Sequence, residues 1–451
     1  MQKVRPALQS SKGRSTPWGG AKLVNAFAEV SEGDKVETYA VMAIPGLTAF
    51  ATPSSAEGRG VHRMGTTLYA VVGTSLYSVS GVGVMTSLGT IGGTGAVRMV
   101  DNGTQLAICP NTGTGYVLDT GVIYSGISNL PTVSDVAYID GYFVWSAQDS
   151  DQFIISSLYD GLSYDPLDVA TAEGDPDAIV GIINDHRELH LYGVDTVEIW
   201  VNTGAAAFPF ERQGNAFIER GCISRDSLCK VDNSVFFVGD DRIVYRLNGY
   251  TPQRVSTHAI ETAIEAATWF IGYTYTQVGH KFYVLSTDVG TYALDMATNL
   301  WHERKSYTRD NHRVAFSETA YGSTLMQDIY TGAIYTPSLD VYDEDGDQMD
   351  VIVEIPTIEK DRDKATMYAL ELHCETGVGN ADTPAPVAIM EYSKDGGRSW
   401  SNQMSRNMGA VGTYTTRAVW RPNVEFRQLA VRFTMQSKTR RFVLGYYADV
   451  R

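Results

Sequence analysis

Between residues 135 and 204 the chain reads as strand-like segments cut by turns. Segments 136–139 and 142–146 alternate and carry aromatic or β-branched residues, and the pair Asp140-Gly141 between them is a strong hairpin signal. Segment 153–156 follows, then a turn-rich passage through Asp160-Gly161, Asp165-Pro166 and Asp175-Pro176. Two apolar strands at 178–183 and 188–192 come next, and 197–201 lies beyond a second turn. This pattern predicts a four-stranded antiparallel sheet and the start of another, the unit from which propellers are built.

A shorter motif, strand then tight turn then strand, recurs along the chain. It runs from Leu68 to Val79, from Phe236 to Leu247, from Phe282 to Asp295 ahead of Trp301, and from Leu325 to Tyr335. Copies lie roughly 40 to 60 residues apart, the range of propeller blades, and they predict about six blades. The 43 glycines and 26 tyrosines suit many turns and many half-buried strands. One helix is expected at 256–267, where Ser256 or Thr257 can cap and Ile260, Ala263, Ile264 and Ala267 share a face.

Near residue 340 the composition changes to a dense acidic loop, Val341 to Asp350. Beyond it, 350–355, 367–374, 387–392, 414–420 and 428–434 alternate as strands of a β-sandwich. The expected fold is therefore all-β, a β-propeller with a C-terminal β-sandwich-like domain. Its expected divisions are a basic N-terminal arm (1–35), the propeller (36–340) and the sandwich (341–451).

Certain residues carry a family resemblance. Asp140-Gly141-Tyr142, Trp145-Ser146, the run from Glu173 to Asp177 leading into Ile179-Val180-Gly181-Ile182, and Val197-Glu198-Ile199-Trp200 before Thr203-Gly204 resemble the packaged-DNA-stabilisation proteins. These are tail hub or nozzle proteins of short-tailed bacteriophages. The resemblance extends from Ile44-Pro45-Gly46-Leu47 through the Arg220-Gly221 turn to about Ile264, and more faintly to the C-terminus.

The net charge of −16 argues against a nucleic-acid binder, whose affinity comes mainly from neutralising phosphates. The charge is uneven. Residues 1–22 hold Lys3, Arg5, Lys12, Arg14 and Lys22 with no acid, and residues 398–451 hold ten basic side chains against Glu425 and Asp449. Basic ends that meet acidic partners, Arg440 and Arg441 among them, are expected on an acidic body that repels DNA. Prolines and glycines make 1–22 an extended arm, either docked or free. Cys109, Cys222, Cys229 and Cys374 are too few and scattered for a disulfide framework and form no C-x-x-C pair, which points to a reducing compartment, and Cys222 and Cys229 are expected as buried thiols. No apolar run is long enough for a membrane helix, and the N-terminus lacks a signal-peptide core.

The sharpest motif is Ser393-Lys394-Asp395-Gly396-Gly397-Arg398-Ser399-Trp400, which fits an Asp-box built on Ser393, Asp395, Gly397 and Trp400. In such a box the hydroxyl and carboxylate oxygens bond the turn's own backbone, so it holds a hairpin and performs no chemistry. Glycoside hydrolysis needs two carboxylates held across a sugar. Asp149/Asp151 and Asp175/Asp177 sit at turns, where Asp is favoured for backbone bonding. The loop with Asp343, Asp345, Asp347 and Asp350 approaches a calcium loop, but its Gly346 stands too early, and a solvated linker is expected. His186 and His190 lie in strand-like sequence without the order of a metalloprotease motif. Residues 89–95 are glycine-rich but lack the Lys-Ser/Thr of a phosphate loop. No catalytic residue, metal site or cofactor is expected.

The resemblance implies a structural virion protein of the tail, made in the host cytoplasm. It implies a homo-oligomeric ring, a hexamer, below the portal-adaptor complex. Such a ring would contact a tail needle or plug and tail fibre or spike proteins, continue the channel through which packaged DNA passes, and help to retain and eject that DNA. The alternative is a carbohydrate-binding or sialidase-like propeller of a phage adhesin.

Overall fold

The computed structural model describes residues 1–11, 13, 20–30, 39–172, 174, 177–360 and 363–451. Five free-standing antiparallel sheets of four strands follow one another, spanning 58–90, 97–125, 133–171, 179–218 and 229–254 (blades 1 to 5). Blade 6 spans 270–304. Blade 7 consists of Val314–Ala320, Ser323–Asp328 and Ile334–Ser338, and takes its outer strand, Gly46–Ala51, from ahead of blade 1. The expected propeller of about six blades is thus present, and strand pairing among the described residues sets the ring at seven. Closing the ring with a strand from its other end removes an open edge.

The blade built around Asp140-Gly141 shows why the sequence folds this way. Val133–Ile139 pairs with Tyr142–Ala147. Asp140 and Gly141 both take positive φ, 49° and 95°, as a two-residue turn matching strand twist requires. The outer strand, Val169–Thr171, lies inside the turn-rich passage, where three residues gave no periodicity. Second strands of the blades, such as Gln105–Pro110 and Ser234–Val238, are buried along their whole length, because neighbouring blades cover both faces.

Each gap between successive blades holds its own apolar cluster. Trp200, Phe153 and Leu191 fill the gap between blades 3 and 4, and Tyr192, Phe237 and Leu247 fill the next. Ala70, Leu325 and Ile334 close blade 7 onto blade 1. Trp145 between blades 2 and 3 is fully buried and donates its indole N–H to the Tyr164 hydroxyl at 2.8 Å. Truncating such a side chain to Ala costs roughly 3–5 kcal/mol.

The helix forms at His258–Ile264, with the Thr257 hydroxyl accepting from the Ile260 amide. Its buried Ile260 and Ile264 join Phe236, Tyr283 and Trp301 between blades 5 and 6.

The C-terminal domain is a sandwich of two sheets around Leu23, Val353, Met367, Leu370, Trp420, Phe433 and Tyr446. Phe442–Val450, which had no sequence-based counterpart, is the central strand of one sheet, between Tyr39–Ala43 and Ala365–Cys374. The described part of the N-terminal segment is woven into this domain. Gln2–Lys3 pairs with the last strand, and Lys22–Val24 lies between blade 6's Leu300–Arg304 and the sandwich strand Val351–Glu359. One sheet therefore runs continuously from blade 6 into the sandwich.

Candidate functional site

The first strand of each blade faces the propeller axis, where a cavity of about 350 Å³ is lined by Arg98, Asn184, Asp226, Lys230, Thr274 and Ser317 among others. Lys230 donates to the Asn184 side-chain oxygen at 2.8 Å, and burial lowers the pKa of its ammonium. Beside the cavity, Arg98 Nε lies 3.4 Å from the fully buried Asp135. Burial raises the Asp135 carboxyl, opposed by Arg98 and Arg225, while one of its oxygens accepts the Ile182 amide.

Arg225 crosses from the entry to blade 5 and donates to the carbonyls of Ser134, Ala96 and Cys109. One guanidinium thus ties blade 5 to blades 2 and 3. This set is a lock: Arg98 and Arg225 are spent on carbonyls, on the carboxylates of Asp135 and Asp226, and on the buried Cys109 thiol, to which Arg225 donates at 3.5 Å. No sequence signal singled out Arg98, Asp135 or Arg225, because only tertiary burial distinguishes them from surface residues.

A second polar cluster sits where propeller meets sandwich. His280 Nδ1 is 2.8 Å from Asp295 and Nε2 is 2.9 Å from Glu29, which belongs to the N-terminal strand Ala26–Val30. His312 Nε2 lies 3.2 Å from the buried Glu344, and Arg313 reaches Asp347 at 2.6 Å. The acidic loop is therefore ion-paired, with Asp343 also bound by Lys438 at 2.6 Å. A larger cavity, about 620 Å³, opens at this junction between Met42, Val278, Leu339, Tyr342 and Phe442.

The residues singled out from sequence are dispersed. Lys3 lies in the strand paired with the C-terminus, Arg5 is exposed, and Lys22 pairs with Glu303 of blade 6 at 2.8 Å. Lys12 and Arg14 lie outside the described residues. Arg440 is exposed and reaches Glu375 at 3.4 Å. Arg441 corrects the expectation of a partner contact: it is 2 % exposed and donates to the carbonyls of Met349 and Tyr342, so it offers no face to a partner.

The Ser393 to Trp400 turn has the geometry expected of the box. The Ser393 hydroxyl accepts from the Gly397 amide, and Asp395 accepts from the amides of Arg398 and Ser399 and from both hydroxyls. These bonds, led by that from Ser393, hold the Asp395 carboxyl well below the usual range. Trp400 is half-buried under the Arg432 guanidinium, 4.1 Å from its ring centre. His186 occupies a turn and His190 the following strand, so they form no helical pair. Among the described residues, no group of three or more His, Cys, Asp or Glu is placed to hold a metal, and no helix is long and apolar enough to cross a membrane. All four cysteines are free and buried, and burial pushes the Cys109 thiol up to about 12.

Comparison with known proteins adds the family. No curated protein is matched significantly. Among solved structures, the computationally designed Ika8 protein is 13 % identical, with 75 % of this chain and 99 % of that one covered at a TM-score of 0.41. BamB from Moraxella catarrhalis is 11 % identical over 70 % and 97 %, also at 0.41. The extracellular domain of BT4673 from B. thetaiotaomicron is 10 % identical at 0.45, covering 64 % of this chain, which spans only 40 % of that one. Two family models match in series: the β-propeller of bacteriophage P22 Gp10 over residues 11–336, and its β-sandwich over 352–451. The chain belongs to the bacteriophage P22 Gp10 family, the tail nozzle and DNA-stabilisation proteins, and is a structural component of a phage tail.

Proposed function

We propose that this chain is the subunit of a ring, a hexamer, which sits below the portal-adaptor complex, continues the DNA channel, and helps to retain packaged DNA and later release it. The observation that carries the reading is the match of both domains, in order, to the P22 Gp10 propeller and sandwich. In this reading the chain divides near residues 35 and 340, catalyses nothing, is made in the host cytoplasm and meets a needle or plug and fibre or spike proteins in the virion.

The charge supports it physically. A chain with a net charge of −16 repels DNA phosphates, so a lumen lined by its acidic surface lets DNA slide without the ion pairs that would hold it. Basic residues of the N-terminal segment, Lys3 and Arg5 with Lys12 and Arg14, would clamp a neighbour or the adaptor. The test is the mass of the purified protein alone and after mixing with its adaptor-portal complex, by light scattering and negative-stain imaging. Six copies on the connector are expected; a chain that ignores the connector overturns the reading.

A further inference from the structure

Two surface loops, one on the propeller and one on the sandwich, carry exposed apolar side chains beside unpaired charge of opposite sign. The first, residues 156–168, joins the third strand of blade 3, Gln152–Ile155, to its outer strand, Val169–Thr171. Ordinary hairpin loops hold two to five residues, and longer ones without secondary structure are often functional. Leu167 is 84 % exposed and Tyr159 66 %. Tyr159 also takes φ 61°, a left-handed conformation that disfavours a bulky side chain and that Gly or Asn would adopt at less cost. Asp160, Asp165 and Asp168 stand in the same loop, and none has a cation within ion-pair distance among the described residues. Burial and then Asp165 raise the Asp168 carboxyl, as expected of crowded carboxylates without a counter-ion.

The second loop, 408–417, lies in the sandwich between Met404–Asn407 and Ala418–Trp420. Val411 and Tyr414 are each 74 % exposed. Arg406 and Arg421 flank the loop; Arg406 donates only to the backbone carbonyls of Val419 and Ser405, and Arg421 is exposed without a carboxylate partner among the described residues.

The sandwich joins the propeller through blades 6 and 7, by the shared sheet and by Glu344 pairing alongside Leu47. In a ring of seven, blade 3 stands three places from blade 6 one way and three from blade 7 the other. The two loops are different surfaces of the subunit, so a contact between them is head-to-tail, and it closes a ring when its rotation closes. We infer that the occupant of the blade 3 loop is a second copy of this chain, whose 408–417 loop seats Val411 and Tyr414 against Leu167 and Tyr159 and sets Arg406 and Arg421 against Asp165 and Asp168. The pairing rests on the ring reading above and names the surfaces that would form the ring.

Leu167→Cys and Tyr414→Cys, made as separate variants, test it, since the four native thiols are buried and do not compete. Under oxidation a mixture gives a disulfide-linked dimer, and neither variant alone does. Asp168→Lys and Arg421→Glu each weaken association about tenfold, and combining them in one chain recovers most of the loss, as for a cross-interface charge pair. Both side chains lack hydrogen-bond partners in their own subunit among the described residues, so circular dichroism should show unchanged folding. No mixed dimer while the wild type associates overturns the pairing and leaves the ring standing. A homodimer from Leu167→Cys alone overturns the head-to-tail contact. A wild type that stays monomeric, with or without its connector, and yields no mixed dimer overturns both readings.

Discussion

His280 Nε2 lies 2.9 Å from the Glu29 carboxylate, joining blade 6 of the propeller to a strand 251 residues earlier in the chain, while Nδ1 of the same ring faces Asp295 at 2.8 Å. Burial alone would lower the pKa of this imidazole, but Asp295 and then Glu29 outweigh it and the pKa is raised. His302 and Arg304 face the same cluster; burial, then Arg304 and His280, keep His302 neutral. A raised folded-state pKa gives stability that is fully present below the ordinary histidine value of about 6.5 and is lost as pH climbs through the raised one. Thermal unfolding from pH 5.5 to 9 should show the melting temperature falling with rising pH through that window. His280→Gln should flatten this slope, and an unchanged slope would remove His280 as its source.

Arg225 ties blade 5 to blades 2 and 3, and its loss leaves Asp135 buried with Arg98 as its remaining cation. Arg225→Met should cost roughly 1–3 kcal/mol, as for leaving buried carbonyls without their donor. Urea unfolding measures this, and Asp135→Asn in the same chain should return part of the loss.

Gly221 has no room for a side chain: a Cβ there would stand 1.6 Å from the Val194 carbonyl oxygen. The backbone at the passage from blade 4 to blade 5 must shift to admit even a methyl group. Gly221→Ala should destabilise by roughly 1–3 kcal/mol, the range for forcing atoms into a packed site. An unchanged urea midpoint would mean that this passage is softer than its contacts indicate.

Val278 turns the corner of the blade 6 hairpin at φ 45°, and it is 74 % exposed. A β-branched residue in the left-handed region is strained by about 1–2 kcal/mol, which Gly relieves without loss of a buried contact. Val278→Gly should therefore stabilise the isolated chain. A lower urea midpoint would show instead that Val278 supports the junction cavity it lines.

Asp395→Ala removes the acceptor of two amides and two hydroxyls from the Ser393 to Trp400 turn. The folded carboxyl is held low, so its contribution is present above the ordinary Asp range and fades as pH falls. The substitution should speed amide exchange within the turn at neutral pH and leave the propeller's exchange unchanged. Exchange that rises across both domains would give the box a wider role.

Much of the molecule follows from local pattern, because turn chemistry and strand alternation act over a few residues. Asp140-Gly141, the strand pairs at 68–79 and 236–247, and the helix capped by Thr257 all take the form that their own residues dictate. The Asp395 turn is equally local, with every bond closing within seven residues. Val169–Thr171 and Phe442–Val450 escaped notice for the opposite reason: three residues hold no measurable period, and the last strand is specified by its neighbours on both sides.

What only the tertiary structure decided is where distant segments meet. Ring closure depends on Gly46–Ala51 crossing to Ile334–Ser338, and the N-terminal segment joins the sandwich through pairings hundreds of residues apart. Arg441 looked in sequence like one of several terminal cations, and burial under Met349 and Tyr342 made it a bolt. Charge and polarity are properties of a residue, whereas exposure belongs to the packed chain. The sequence by itself therefore determined the class of fold and its turns, and packing determined which of its arginines remain free to meet another molecule.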